Sequence, residues 1–315
     1  MNPILRDSVN IFSFGEILWD IIEGEAHLGG AAFNLAAHAA KLGLNAELVS
    51  RVGSDDLGRR AIDEAKRLRV GTSFVEVDSR YPTGTVTVTV ASDGQPEYEI
   101  GCPAAWDHIH FEEQSIKLRQ PDAICFGTLA QRNLISRRAL ASLLRSVDPC
   151  PVFYDVNLRQ TFYSKEVIEW GFNRASVVKM NNQESRLIGN LLLDGDLDEE
   201  SCALRLRDRY RIPIVLVTLG ASGCLVIDHT GATHIPGRSV KVVDTIGAGD
   251  AFSATFLAGW LRGLSPQHAV VLANRVGAYV ASQRGAIPEY GDEIEQQLMC
   301  LLSLRCSSPA ARIDN

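Results

Sequence analysis

Asp244-Thr245-Ile246-Gly247-Ala248-Gly249-Asp250-Ala251-Phe252 is the stretch on which the reading of this chain turns. The run Lys241 to Asp244 enters it as a strand-like segment, and Asp250 to Arg262 leaves it as a strongly apolar helix. Two glycines in such a turn let the backbone bend tightly and bring its N–H groups close to a ligand. Those groups then point along the helix axis, where the dipole favours an anion. An aspartate in a first helical turn is also an ordinary cap. Capping explains Asp250 by itself, but not the glycine pair, the preceding Asp244 and the helix of small residues together. A turn that holds a phosphoryl group beside a carboxylate points to phosphoryl transfer.

The common nucleotide motifs are missing. No GxxxxGK[ST] run is present, nor the HRD and DFG set of protein kinases, and Gly247 to Phe252 is not GxGxxG.

Outward from the turn, short apolar strands alternate with helical stretches. Strands are expected at 10–14, 46–52, 123–126, 152–155, 177–179, 214–218 and 224–228. Helices are expected at 31–42, 57–68, 136–147, 250–262 and 266–283. This alternation implies a largely parallel sheet covered on both faces. Thr83 to Ile100 breaks the rhythm: Val86, Val88 and Val90 alternate with threonines, Asp93-Gly94 supplies a turn, and Tyr98 to Ile100 returns. A second insert, Trp19 to His27, turns at Glu23-Gly24. From spacing alone the two hairpins are either a small β lid over the carboxyl edge of the sheet or surface decoration.

The 315 residues are 46% hydrophobic and 22% charged, with a net charge of −7. That supports a sizeable core and argues against a nucleic-acid or anionic-membrane binder. The seven cysteines form no CxxC pair, so they read as reduced structural thiols rather than a disulfide framework or zinc site. The N-terminal stretch lacks a basic start followed by a long apolar run, and every apolar stretch is interrupted before membrane-spanning length. A cytoplasmic protein is expected, with a frayed tail over 307–315.

These features together resemble the ribokinase-like (PfkB) carbohydrate kinases along nearly the whole chain. The DTxGAGD turn at Asp244 to Asp250 is the C-terminal signature of that family. Gly29, Gly30, Asn34, Gly43 and Gly53 fit its N-terminal GG…N…G…G spacing. Thr255 departs from the Gly or Ala usual in the helix that follows. The resemblance implies an α/β fold, a three-layer α/β/α sandwich with a mostly parallel central sheet and a small β-sheet lid. It implies a single domain over 1–315, with a lid formed by about 16–28 and 82–108.

The resemblance also assigns roles. Asp250 becomes the general base, with a pKa kept low by the helix N-terminus, and a weak base suffices for a loose transition state. The N–H groups of Gly247, Ala248 and Gly249 form the anion hole. Asn181 and Glu184 match an NxxE motif that organises Mg2+ and its waters; alone, NxxE is more often a helix start with an acidic first turn. Thr218, Gly220 and Gly223 match the nucleotide loop for ATP, and Asn274 a position near the adenine. Asp244, Ile246, Val280, Gln283 and Gly285 are the candidates for a monovalent cation such as K+. Asp20, Gly29, Gly30, Asn34 and Arg159 are the sugar-binding candidates. Trp106 reads as packing rather than stacking on a sugar.

The segments GEILWD, LGGAAFN, YPTGTVTVTVASDGQPEYEI and AAWDHI look most like bacterial fructokinases. DVNLR, which contains Arg159, is shared with 2-keto-3-deoxygluconate kinases, where an arginine pairs with the acid's carboxylate. Gly101-Cys102-Pro103 lacks the acidic residue that such fructokinases carry before AWD, which leaves another ketose or a keto acid open. A ribose or nucleoside kinase and a non-catalytic sugar sensor are the remaining readings. The lid either closes one site in a monomer or pairs with a second lid in a homodimer.

Overall fold

The computed structural model describes residues 9–90, 96–111, 120–193 and 197–292, together with 195, 294 and 296. Among the described residues thirteen strands and eight α-helices follow one another. The central sheet contains β1 (Asn10–Phe14), β4 (Asn45–Gly53), β5 (Gly71–Asp78), β8 (Ala123–Gly127), β9 (Val152–Asp155), β10 (Val177–Asn181), β11 (Ile214–Thr218), β12 (Cys224–Asp228) and β13 (Gly231–Ile235). Their order is β13-β12-β11-β10-β9-β8-β1-β4-β5. All pairs from β11 to β5 are parallel, and only β12 and β13 run against their neighbours.

Residue alternation along the strands builds two cores. Phe12, Phe14, Tyr154, Val178 and Val215 face α3 (Leu134–Ser146), α4 (Lys165–Phe172), α5 (Asn182–Leu192) and α6 (Glu199–Tyr210). Ile11, Phe153, Val177 and Leu216 face α1 (Ala31–Lys41), α2 (Asp56–Arg67), α7 (Ala248–Trp260) and α8 (Pro266–Ala281). A period of two on strands buried on both sides is what a sheet between helix layers requires. The result is the expected α/β/α sandwich.

The two hairpins form one lid. β2 (Leu18–Ile22) pairs antiparallel with β3 (Glu25–Gly29), and β6 (Gly84–Val90) pairs antiparallel with β7 (Pro96–Ile100). β2 and β6 join them in parallel, giving the order β3-β2-β6-β7. The expected turn at Asp93-Gly94 and the tail over 307–315 lie outside the described residues. The lid leaves the sheet at the end of β1, where the strand order reverses between β8 and β4, the place where open parallel sheets bind ligands.

Three sequence expectations need correction. Lys241 to Asp244 is not a strand: Val242 and Val243 are exposed, and the N–H groups of Val243 and Asp244 both point at the Ala281 carbonyl at the end of α8. The helix after the turn begins at Ala248 rather than Asp250, because Gly247 at φ 76° already serves as its N-cap. Four elements were unforeseen, β5, β13, α4 and α6, while α5 begins at the helix start that the run Asn181 to Glu184 also allowed. Most are surface or edge elements, whose polar faces dilute the apolar period.

Trp106 is fully buried in the core, as its packing reading requires. Asp107 and Arg132 form a buried ion pair beside it, 2.7 Å apart, with the guanidinium 4.1 Å from the Trp106 ring. Among the described residues the cysteines are free, and no helix is long and apolar enough to cross a membrane.

Candidate active site

Asp250 sits in the first turn of α7, and the site assembles around it. Gly247 must be glycine: its φ is 76°, and a Cβ there would lie 2.4 Å from the Ala286 carbonyl oxygen. The turn thus presents the α7 N-terminus at the sheet's carboxyl edge. Ala248 N–H leans back to the Thr245 carbonyl at a long 3.3 Å.

Asp250 is half-buried and accepts a hydrogen bond from Asn34 Nδ2 at 2.8 Å. Its pKa rises from 3.8 to about 6. Withdrawal from water is the main cause and the Asp155 carboxylate adds to it; Asn34, Lys179 and Arg159 oppose it. This corrects the expectation of a low value. The helix N-terminus is a partial charge at best, and here burial together with a neighbouring carboxylate outweighs it.

The sugar-side candidates converge on the same place. Asp20 on β2 lies beside Gly29, where a Cβ would come within 2.6 Å of Asp20 Oδ2. Gly30, the N-cap of α1 at φ 103°, packs on the Glu16 carbonyl, leaving no space for a side chain. Asn34 follows in the first turns of α1. Its Oδ1 is buried without a hydrogen-bond partner. An ionised Asp250 only accepts, so the Asn34 amide must turn its NH2 to it, and Oδ1 is the atom left for a donor from a ligand. Arg159, exposed after β9, acts electrostatically on Glu16, Asp20 and Asp250 at once. Burial raises Asp20 to about 6 against the pull of Arg159 and His27.

On the nucleotide side, Asn181 and Glu184 make a reciprocal capping box at the start of α5. Asn181 N–H donates to Glu184 Oε2 at 2.7 Å, and Glu184 N–H donates to Asn181 Oδ1 at 2.8 Å. Leu158 N–H donates to Glu184 Oε1 at 2.9 Å. Each Glu184 oxygen thus accepts one backbone N–H and keeps a further lone pair for a water or an ion. No cluster of three or more His, Cys, Asp or Glu side chains suited to a metal occurs among the described residues.

Thr218 ends β11. Gly220 and Gly223 both hold positive φ, and a Cβ at Gly223 would strike the Ile235 carbonyl oxygen at 2.1 Å. Asn274 on α8 reaches the same segment, donating toward the Ile235 and Pro236 carbonyls at 3.3 and 3.1 Å. A cleft of about 500 Å3 opens there, lined by Ile235, Pro236, Gly237, Val271, Asn274 and Arg275, among others. The structure therefore places Asn274 in this cleft and Gly223 against the Ile235 to Gly237 segment that lines it, while Gly220 is not among the lining residues.

Asp244 ties two of the other cation candidates, Ile246 and Gly285, together. Its Oδ1 accepts from Ile246 N–H at 2.9 Å and its Oδ2 from Gly285 N–H at 3.1 Å. Val280 is buried, and its carbonyl accepts from Gln283 N–H as part of the α8 C-terminus.

Three groups at the site escaped the sequence reading. Glu16, buried at the end of β1, accepts from Ala31 N–H at 3.1 Å and is raised to about 7, chiefly by burial. Lys179 and Asp155 form a buried pair beside Asp250. A lysine amid the apolar run Val177-Val178-Lys179-Met180 was the available signal.

A family model described as pfkB family carbohydrate kinase matches residues 2–291. The chain is 27% identical to a fructokinase of Klebsiella pneumoniae over 310 residues, covering 91% of this chain and 99% of the relative. It is 28% identical over 297 residues to a putative sugar kinase of Pyrococcus horikoshii, covering 88% and 91% of the two chains. The crystal structure of a Vibrio cholerae fructokinase with fructose, ADP and calcium bound superposes with a TM-score of 0.78 at 26% identity, covering 93% of this chain and 99% of that one. With the match running through the lid, the Asn34 helix and the Asp250 turn, the chain belongs to the pfkB family of carbohydrate kinases.

Proposed function

We propose that the protein is an ATP-dependent sugar kinase that phosphorylates D-fructose on its primary hydroxyl, giving fructose 6-phosphate. The observation that carries the reading is the Asn34–Asp250 pair, which joins the helix that begins at the lid to the helix that begins at the anion turn. The fructokinase relatives, one with fructose and ADP bound, support the choice of sugar and nucleotide.

In this reading Asp250 accepts the proton of the attacking hydroxyl. The backbone N–H groups of Gly247, Ala248 and Gly249 face the charge that develops on the transferred group. Asp20 accepts from sugar hydroxyls, Asn34 Oδ1 from another, and Gly29 and Gly30 let the ring approach the backbone. Thr218, Gly220, Gly223 and Asn274 hold the nucleotide. Glu184 and Asn181 orient the waters of Mg2+, which offsets phosphate charge when bound; Asp244, Ile246, Val280, Gln283 and Gly285 surround K+. The chain works as one domain in the cytoplasm, and two lids pair in a homodimer.

Arg159 is equally compatible with a second reading. An exposed cation beside Asp20 and Asp250 is placed to meet the carboxylate of 2-keto-3-deoxygluconate. Coupling turnover to an enzyme specific for fructose 6-phosphate tests the first reading. A product formed from fructose that this enzyme ignores contradicts the 6-phosphate assignment.

A further inference from the structure

Lys179 has no part in the chemistry described so far, yet it lies at the centre of the site's charges. It is buried on β10, with Nζ 3.1 Å from each oxygen of Asp155 on β9. The Ser253 hydroxyl of α7 lies 3.0 Å from Asp155 Oδ2 and 3.0 Å from the Gly249 carbonyl oxygen, tying the pair to the anion turn. A Cβ at Gly249 would lie 3.1 Å from Nζ, so the ammonium rests directly beneath the turn.

Stability is a weak reason for such a pair. Apolar residues of similar volume in place of a buried ion pair often leave a protein as stable or more so. Its location supplies another reason. Asp155, Glu184 and Asp250 all act on the ammonium and, despite its burial, hold its pKa above the ordinary lysine value. Asp250 in turn faces Asp155 from β9, Lys179 from β10, Arg159 from the loop after β9, Glu16 from the end of β1 and the Asn34 amide from α1.

We propose that Lys179, held by Asp155 and Ser253, is a positioning residue of the reaction: a buried positive charge under Gly249 that keeps Asp250 ionised and favours an anion at the turn above it. This rests on the kinase reading. The electrostatic part is measurable without turnover.

The test follows the Asp250 carboxyl carbon by NMR through a pH titration of the aspartate-labelled full chain, with Asp250→Asn identifying the signal. Lys179→Met should raise the Asp250 midpoint by about one pH unit. Lys179→Gln, which keeps a donor for Asp155, should do the same and serves if the methionine variant does not fold. Lys179→Arg, which keeps the charge, should return the midpoint to its unmodified value. A midpoint that stays put in a folded charge-neutral variant overturns the proposal. ADP release by the unmodified chain with fructose judges the kinase reading separately, since the titration needs no substrate.

Discussion

Asn34 Nδ2 lies 2.8 Å from Asp250 Oδ2 across 216 positions of sequence, joining the second residue-rich signature of the chain to the first. The contact spans α1 and α7, which pack side by side on one face of the sheet. It leaves Asn34 Oδ1 buried and unpartnered, and a buried acceptor in that state costs about 1–3 kcal/mol until something donates to it.

A sugar hydroxyl is the donor this account assigns to Oδ1. Asn34→Ala should raise the KM for fructose about tenfold, the loss of roughly one good hydrogen bond, with the KM for ATP little changed. Steady-state kinetics with each substrate varied in turn checks it. An unchanged fructose KM would remove Asn34 from the sugar site.

Asp250 has a pKa raised from 3.8 to about 6, so its folded state holds a proton more tightly than the unfolded chain does. Such a carboxyl weakens the fold as pH rises from 4 through 6, and the cost persists above that. Asp250→Asn should therefore stabilise the protein at pH 8, by about 1 kcal/mol after allowance for solvent screening, and not at pH 4. Urea unfolding at the two pH values measures the difference. Catalysis runs the other way: turnover should fall as pH drops below about 6, where the base becomes protonated.

His38, one turn beyond Asn34 on α1, is fully buried between Tyr290 Oη at 2.7 Å and the Ala286 carbonyl at 2.9 Å. Burial lowers its pKa from 6.5 to about 4. A histidine with a lowered folded pKa loses stability for the protein as pH falls from 6.5 toward 4, because the unfolded chain takes up the proton first. The loss reaches about 3 kcal/mol at the acid end. In His38→Gln this acid-dependent component should disappear, which urea unfolding at pH 7 and pH 4.5 would show. An identical pH dependence in both proteins would contradict it.

Arg132 pairs with Asp107 in the core below the lid, with both side chains almost fully buried. Arg132→Met strands the Asp107 carboxylate and should cost about 3 kcal/mol or more of unfolding free energy. The double variant Arg132→Met, Asp107→Leu should recover most of that loss. Denaturant unfolding of the two variants separates a stranded charge from a mere packing defect.

The sandwich was legible because its strands are buried on both sides. Runs such as Ile214 to Val217 and Cys224 to Ile227 are apolar throughout, and glycines end several elements. β5 and α6 were not legible: Gly71 to Asp78 is an edge strand, and Glu199 to Tyr210 carries six charged residues in twelve. Asp250 and Gly247 stood out in the sequence because a glycine-rich turn beside a carboxylate suits a phosphoryl group, whereas Asn34 was nominated only by the resemblance to the family's N-terminal spacing. Lys179 and Asp155 stayed hidden because each lies on a different strand and acquires its meaning only from the 3.1 Å contact between them. The acidity of Asp250 was misjudged for the same reason, since the chain order shows the helix N-terminus but neither the burial nor Asp155.

The central claim, phosphoryl transfer to a sugar with Asp250 as base, is tested most directly by ADP release with ATP and magnesium. Fructose, 2-keto-3-deoxygluconate, ribose, adenosine and fructose 6-phosphate are compared side by side, with Asp250→Asn as control. The account predicts turnover preferring fructose, and a loss of at least about a hundredfold in the Asp250→Asn variant with ATP still bound. Undiminished ADP release by that variant, or no release with any of the five, would contradict it.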